Sequence, residues 1–541
     1  MTAAALSLPA PPRAARAPTN KWLVTLSVTF GTLMGAIDSS IVNVAIPHIR
    51  GAVGASITEI TWIATGFIIA TVIVMPLTAF MGRFFGQKRF YLFSLVLFLV
   101  GSALCGMARS LPALVAFRAV QGLGAGALQP TEQAILRQTF PPEEQGMAMA
   151  LFGMSVMLGP AFGPTLGGYI VDHYSWEWIF YINLPVGALG LFMVTKFVQE
   201  PEDIRAANAA LAEKQRGHLD WLGILLLTLG LGALQYILEE GQGEDWFESK
   251  LIVGATLFTV FALIAFVIRE LTAPVPAVNL SLFKDKVFMS GTLIGAMMFA
   301  MLMANMFLLP LFMQELLGFT AVDSGLALMP RTLVMMLATP IVGRIYNHVS
   351  PRVLIAIGVV LFSIGAYQMS QFTLETTERG IVGAIVVQGV GFSCLFVPLT
   401  TVALSTIPRH RLTDATGLNS LLRQIGGSVG LAVFATYLTD ASQTARAGIA
   451  THLTATRPAV QSFLHAAEAG LRAHGYDPVS AEHGALAALA GNAARQASVI
   501  GFDQVFLLSG IMFLFVLPVL IFLKDDRGAN REAAHTEPIE L

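Results

Sequence analysis

Five ionisable side chains stand alone in stretches of sequence that are otherwise apolar: Asp38, Arg118, Glu132, Arg331 and Arg423. An ionisable group at bilayer depth is costly unless it is paired or faces water, so each is a candidate for function. At a rise of 1.5 Å per residue, Asp38 lies roughly 12 Å from the outer end of the first apolar run. Arg118 lies roughly 9 Å from the outer end of the fourth. The two therefore sit at similar depth on helices able to face each other. A carboxylate beside a guanidinium stays ionised, and one moved away from it into apolar surroundings takes up a proton. The pair reads either as a proton-coupled switch or as a static ion pair that fixes helix packing.

The other three are read less sharply. Glu132 follows Pro130 near the inner end of its run, where it either relays a proton or contacts a cationic substrate, or else snorkels to the interface. Arg423 sits in "LNSLLRQIGGSVG" and either lines a cavity or hydrogen-bonds backbone carbonyls; Arg331, after Pro330, reads the same way. Gln121 and Asn43 join them as polar candidates for cavity or relay.

The stretch "GPAFGPTLGG" (159–168) places two prolines and four glycines inside an apolar run. Gly159, Gly163 and Gly167 recur every fourth residue and stack on one helix face, a small-residue ridge that lets a partner backbone approach closely. Pro160 and Pro164 each remove a backbone donor and bend the helix. With Gly168, the stretch reads as a bent, closely packed span where a helix of another half can dock, either as a moving contact or as plain tight packing.

These residues need elements to hold them. Hydrophobic residues make up 55% of the 541 and charged ones 12%, about half the charge of a soluble domain. The class is a polytopic all-α membrane protein. A span takes about 20 apolar residues, and fourteen such runs are present: 22–46, 57–80, 90–108, 112–136, 147–171, 176–198, 219–237, 251–271, 287–313, 322–344, 352–371, 380–404, 414–438 and 501–523. With the N-terminus in the cytoplasm, inner loops and tails, counted with the inner ends of the spans, carry 21 Lys and Arg and outer loops 8, four of these in the long loop 439–500. The positive-inside rule then puts both termini in the cytoplasm. All six Trp fall near run ends, as an interfacial belt requires.

The pattern repeats. "VQGLG" (120–124) answers "VQGVG" (387–391), and "PLTAFMGRFFGQKR" (76–89) answers "PIVGRIYNHVSPR" (340–352), each pair eight spans apart. The parse is a tail 1–21, a six-helix half 22–198, a linker with two inserted helices 199–286, a second six-helix half 287–523 and a tail 524–541. A site between parallel halves is the build of many secondary transporters. Loop 439–500 is Ala-rich with helical periodicity and is expected to form short amphipathic helices outside the membrane. Its histidines (452, 465, 474, 483) fit no tight ligand set. Cys105 and Cys394, both in apolar runs, read as buried small residues.

Several function classes are disfavoured. The chain has no G-x-x-x-x-G-K-[ST] for a nucleotide engine, and no His/Cys cluster or nucleophile elbow for an enzyme. No cofactor, metal or nucleic-acid partner is expected. A coupled buried acid argues against a passive channel.

Over nearly all of 22–523 the chain resembles the major facilitator superfamily, and within it the fourteen-helix drug:proton antiporter branch of EmrB/QacA type. "GAIDSSIVNVAIPHI" (35–49) is similar to that branch's first-helix motif, with Asp38 at its acidic position. "RAVQGLGAGAL" (118–128) resembles the fourth-helix motif, with Arg118 at the arginine linked to proton transfer. "GPAFGPTLGG" is similar to the antiporter motif of the fifth helix, and "SWEWIFYINLPVG" (175–187) is typical of the branch. One motif departs: in the second–third helix loop Gly86, Lys88 and Arg89 match, but Arg83 stands at the acidic position and Phe84 at the following arginine. The resemblance implies that this acid helps latch the cytoplasmic face, so a latch is in question here. It also implies, through loop 439–500 ending "RQASVIGFDQVF", a periplasmic adaptor (membrane-fusion) protein and an outer-membrane channel as partners.

The expected function is a proton-coupled multidrug efflux transporter of the bacterial inner membrane, exporting amphipathic compounds by alternating access. The alternative is a dedicated proton-coupled exporter of one physiological solute, such as a siderophore or metabolite.

Overall fold

The computed structural model describes residues 20–522, apart from 203, 207, 209–219, 275 and 455. The expected tails 1–21 and 524–541 fall outside it except for residues 20 and 21. Among the described residues there is no strand, and fourteen helices are long and apolar enough to cross a membrane. In chain order they are α1 Lys21–Val53, α2 Trp62–Phe85, α3 Gln87–Gly106, α4 Leu111–Thr139, α5 Gln145–His173, α6 Trp178–Phe197 and α7 Trp221–Glu240. There follow α8 Lys250–Thr272, α9 Lys286–Glu315, α10 Ala321–Ile345, α11 Pro351–Met369, α12 Glu378–Ala403, α13 Leu412–Ala450 and α14 Pro478–Leu514.

Local chemistry sets the ends. Asn20 accepts from the Trp22 N–H to start α1, and Thr320 with Asp323 forms a reciprocal capping box at the start of α10. Gly86, with φ +88°, makes the sharp turn between α2 and α3, a backbone region costly for other residues.

The first six helices pack chiefly among themselves, α2 on α4, α1 on α5 and α3 on α4; α9 packs on α13, and α11 on α12. The two groups meet along two seams, α5 against α10 and α2 against α13. α7 and α8 pack on each other, and α7 lies along the α2–α13 seam, touching both. Its end bonds to each side: Thr65 donates to Glu240 at 3.1 Å, and Gln235 donates to Ser428 at 2.7 Å.

The segment 439–500 departs from expectation. Only "VQSFLHAAEAGLRAHG" falls mainly in a helix of its own, Pro458–Ala473, with Val460, Phe463, Leu464, Ala467 and Leu471 on its less exposed face. The stretch "EHGALAALAGNAARQA" instead belongs to α14, which runs without a break from the loop into the last span, and α13 likewise continues to Ala450. The reason is composition: these flanks are so rich in Ala that nothing stops helix propagation at the membrane surface.

Candidate functional site

Asp38 and Arg118 meet. Both are buried, at 0% and 1% exposure, and Arg118 Nη1 donates to Asp38 Oδ2 at 2.5 Å. The other carboxylate oxygen accepts from Gln121 Nε2 at 2.8 Å and from Asn183 Nδ2 at 2.9 Å. Arg118 also donates to Gln121 Oε1 at 2.7 Å and through Nε to the Ile63 carbonyl at 3.2 Å. Its guanidinium carbon lies 4.1 Å from the centroid of the Phe67 ring. Five helices thus build the site: α1 gives the acid, α4 the arginine and glutamine, α6 the asparagine, α2 a carbonyl and a ring. Ser102 of α3 accepts from Asn183 at 3.0 Å and fixes its amide. The acid is satisfied on both oxygens in a water-poor setting, where a paired charge is well held and an unpaired one is costly. Asn43 does not join this site; it is exposed, because five residues beyond Asp38 it has turned to another face of α1.

Glu132 is fully buried, so it does not snorkel. Its helix continues to Thr139, and its Oε1 accepts from Thr29 at 3.1 Å and from Ser155 at 3.2 Å, while Oε2 has no partner. Arg423 is buried, but backbone carbonyls do not hold it. Its Nη2 donates to Ser420 Oγ at 3.4 Å, Nε and Nη1 have no partner, and the rings of Phe152, Phe299 and Phe396 surround it. Arg331 is buried with all three nitrogens unpartnered.

The glycine ridge of α5 packs on α1, a helix of its own group, and not on one from the other. A Cβ on Gly159 would run into Ala36, one on Gly163 into Ser40 and one on Gly167 into Ile41. Ser40 Oγ donates across the contact to the Gly159 carbonyl at 2.8 Å. The close approach that the glycines allow thus brings one α1 hydroxyl within hydrogen-bond reach of the α5 backbone. Pro160 and Pro164 lie within a helix that runs unbroken from Gln145 to His173. Gly168 faces open space. The α5–α10 seam uses a different part of α5, with Gly146 against the Gly343 carbonyl.

At the end of the molecule that carries residues 81–89, the altered loop motif does have an ionic partner. Arg83 Nη1 donates to Asp414 Oδ1 at 2.6 Å and to Oδ2 at 2.7 Å, joining α2 to the first turn of α13. An ion pair thus crosses the boundary between the two groups of helices at the altered motif. Nearby, Arg137 donates to the Leu404 carbonyl at 2.8 Å, Arg409 to the Gln138 carbonyl at 2.7 Å, and Asn347 to the Glu143 carbonyl. All four bridges join the first six helices to α9–α14 and its loops. Lys88 donates to the Thr195 carbonyl at 2.8 Å, and Arg89 is exposed.

Asn183, Ser102, Asp414 and the three phenylalanines around Arg423 escape a reading by sequence alone. Asn183 lies in "SWEWIFYINLPVG", the one signal that marks it.

The sequence profile of a family described as Major Facilitator Superfamily matches residues 28–431. The chain is 37% identical to "Multidrug export protein EmrB" of Haemophilus influenzae, over 94% of this chain and 96% of that protein. It is 32% identical to "Fatty acid resistance protein FarB" of Neisseria gonorrhoeae, over 93% and 96%. A solved structure of the proton:xylose symporter XylE has the same fold, with TM-score 0.59 and 14% identity over 93% of this chain and 99% of that one.

Proposed function

Because the chain belongs to the major facilitator superfamily, in its fourteen-helix EmrB-type drug:proton antiporter branch, we propose that it is a multidrug efflux transporter driven by protons. The observation that carries the proposal is the buried Asp38 carboxylate, held by groups from α4 and α6. An acid whose every partner sits on another helix changes its surroundings whenever those helices shift. Proton uptake at Asp38, with Arg118 released from it, is the coupling step, and Gln121 and Asn183 hold the acid in place between steps. Glu132 serves as a second proton site nearer the inner face.

The halves 22–198 and 287–523 rock about the α5–α10 and α2–α13 seams in alternating access. The Arg83–Asp414 pair and the bridges around it close the cytoplasmic face, both termini lie in the cytoplasm, and the membrane is the bacterial inner membrane. The charge bias of the loops supports this orientation. Cargo is amphipathic; the names of the relatives, multidrug export and fatty acid resistance, support that class. The extended ends of α13 and α14 with helix Pro458–Ala473 form the surface for a periplasmic adaptor that leads to an outer-membrane channel.

The test is extrusion of a lipophilic dye from cells expressing the protein. Extrusion should stop when a protonophore collapses the proton gradient. Extrusion that persists and follows ATP would overturn the proposal, and movement of one metabolite alone would favour a dedicated exporter.

A further inference from the structure

Three arginines are buried in the described helices, and they are treated differently. Arg118 has a carboxylate, an amide and a carbonyl. Arg331, at 3% exposure, has no partner on any nitrogen, and Arg423, at 2%, has none on Nε or Nη1. A guanidinium stays protonated and offers five donors, and burying it uncompensated is among the costliest placements open to a side chain. Among the described residues no carboxylate pairs with either one. Glu132, which accepts from Ser155 one turn along α5 from Phe152, leaves its Oε2 unpartnered and does not reach them.

Arg423 is enclosed by aromatic rings and lacks an anion among the described residues. Its guanidinium carbon lies 5.6 Å from the ring centroid of Phe152, 5.2 Å from Phe299 and 5.7 Å from Phe396. Rings offset part of the charge but offer no acceptor in line with the N–H groups. Asn419, one turn earlier on the same face of α13, leaves its Nδ2 donor buried and unpartnered. Two buried donor side chains one turn apart thus lack an acceptor. Phe152 comes from α5 and the other two rings from α9 and α12, so the cage spans the boundary between the two groups of helices.

We propose that Arg423, with Asn419, binds the carboxylate head of an amphipathic anion, whose apolar body lies on Phe152, Phe299 and Phe396, while Arg331 adds positive potential from α10. The preferred cargo is then a lipophilic organic acid and not a lipophilic cation. This rests on the export reading and names its substrate class. A planar fork of donors suits a carboxylate in two-point contact, and aromatic rings accept varied apolar bodies with little geometric demand.

The test uses three dansyl amphiphiles with one alkyl body, ending in a carboxylate, its methyl ester or a trimethylammonium group. Binding is read by fluorescence on the full-length protein in lipid nanodiscs. The wild type should favour the carboxylate over the ester by roughly 10- to 100-fold, the range of a charge-assisted hydrogen bond. Arg423→Gln should erase that ratio, and Arg423→Lys, which keeps the charge without the fork, should restore part of it and show that the site still folds. Equal affinity of the wild type for carboxylate and ester, or an unchanged ratio in Arg423→Gln, overturns the proposal. Uptake driven by a pH gradient in vesicles separates the two levels. Transport of the ammonium probe without the carboxylate leaves export standing and sinks the anion site. Binding of the carboxylate through Arg423 with no gradient-driven movement of any probe upholds the anion site and sinks export.

Discussion

Removing the Asp38 charge alone leaves Arg118 buried without its anion, and breaking a buried pair in this way costs about 3–5 kcal/mol. Asp38→Asn should therefore unfold at lower temperature and lose gradient-driven transport in vesicles. The double variant Asp38→Asn/Arg118→Gln separates two causes. It leaves no stranded charge, so stability should largely return, yet transport should stay absent because the acid of the coupling step is gone and Glu132 lies on another part of the path. Transport by the double variant would mean that the pair is only a strut. The Arg83–Asp414 contact invites a charge exchange. Arg83→Asp or Asp414→Arg alone places like charges together and should slow turnover, and the two combined should recover most of it; failure to recover would remove the pair from the gating cycle. At this scale the sequence speaks through rarity. Asp38 and Arg118 stand out because the spans carry so few charges. Asn183 does not stand out, because an uncharged amide in a span has no such cost. Asp414 follows the basic run Arg409-His410-Arg411, where an acid reads as ordinary loop chemistry until its partner across the seam is seen.

Helix α5 shows what spacing reveals and what it conceals. The i, i+4 glycines announce a close neighbour, but α1 is identified only by packing. The consequence is measurable. Gly159→Ala or Gly163→Ala overfills the α1 contact and should cost about 1–3 kcal/mol, read as earlier thermal unfolding in detergent. Gly168→Ala meets nothing within 4 Å and should shift stability by no more than about 0.5 kcal/mol. Equal losses at Gly159 and Gly168 would refute the assignment of the ridge to α1. The inserted helices carry a similar lesson. Hydropathy finds α7 and α8 without difficulty. Their place beside the α2–α13 seam depends on Glu240, Gln235 and Trp246, whose partners Thr65, Ser428 and Thr436 lie far away in sequence. α7 bonds to both sides of a boundary along which the halves are proposed to move, so it follows or resists that motion.

Across the whole molecule, the alternation of apolar run and basic loop was enough to count fourteen spans, because the bilayer sets a minimum length that composition must meet. It did not reveal where the last helices end, since an Ala-rich segment stays helical in water as well as in lipid. Replacing residues 451–477 with a short flexible linker removes helix Pro458–Ala473 and leaves α13 and α14 in place. Vesicle transport should persist, while resistance in an intact Gram-negative cell should fall if an adaptor docks there; unchanged resistance would dismiss that docking surface. The 37 residues of α14 measure about 55 Å at 1.5 Å per residue, against about 30 Å of hydrocarbon. The part of α14 ahead of the apolar run that begins at 501 is about 35 Å of stiff rod outside that run. Such a mast is a lever: a lean of about 10° at its foot sweeps its tip sideways by about 6 Å, so a partner bound at the top would be pushed by any tilt of the span below.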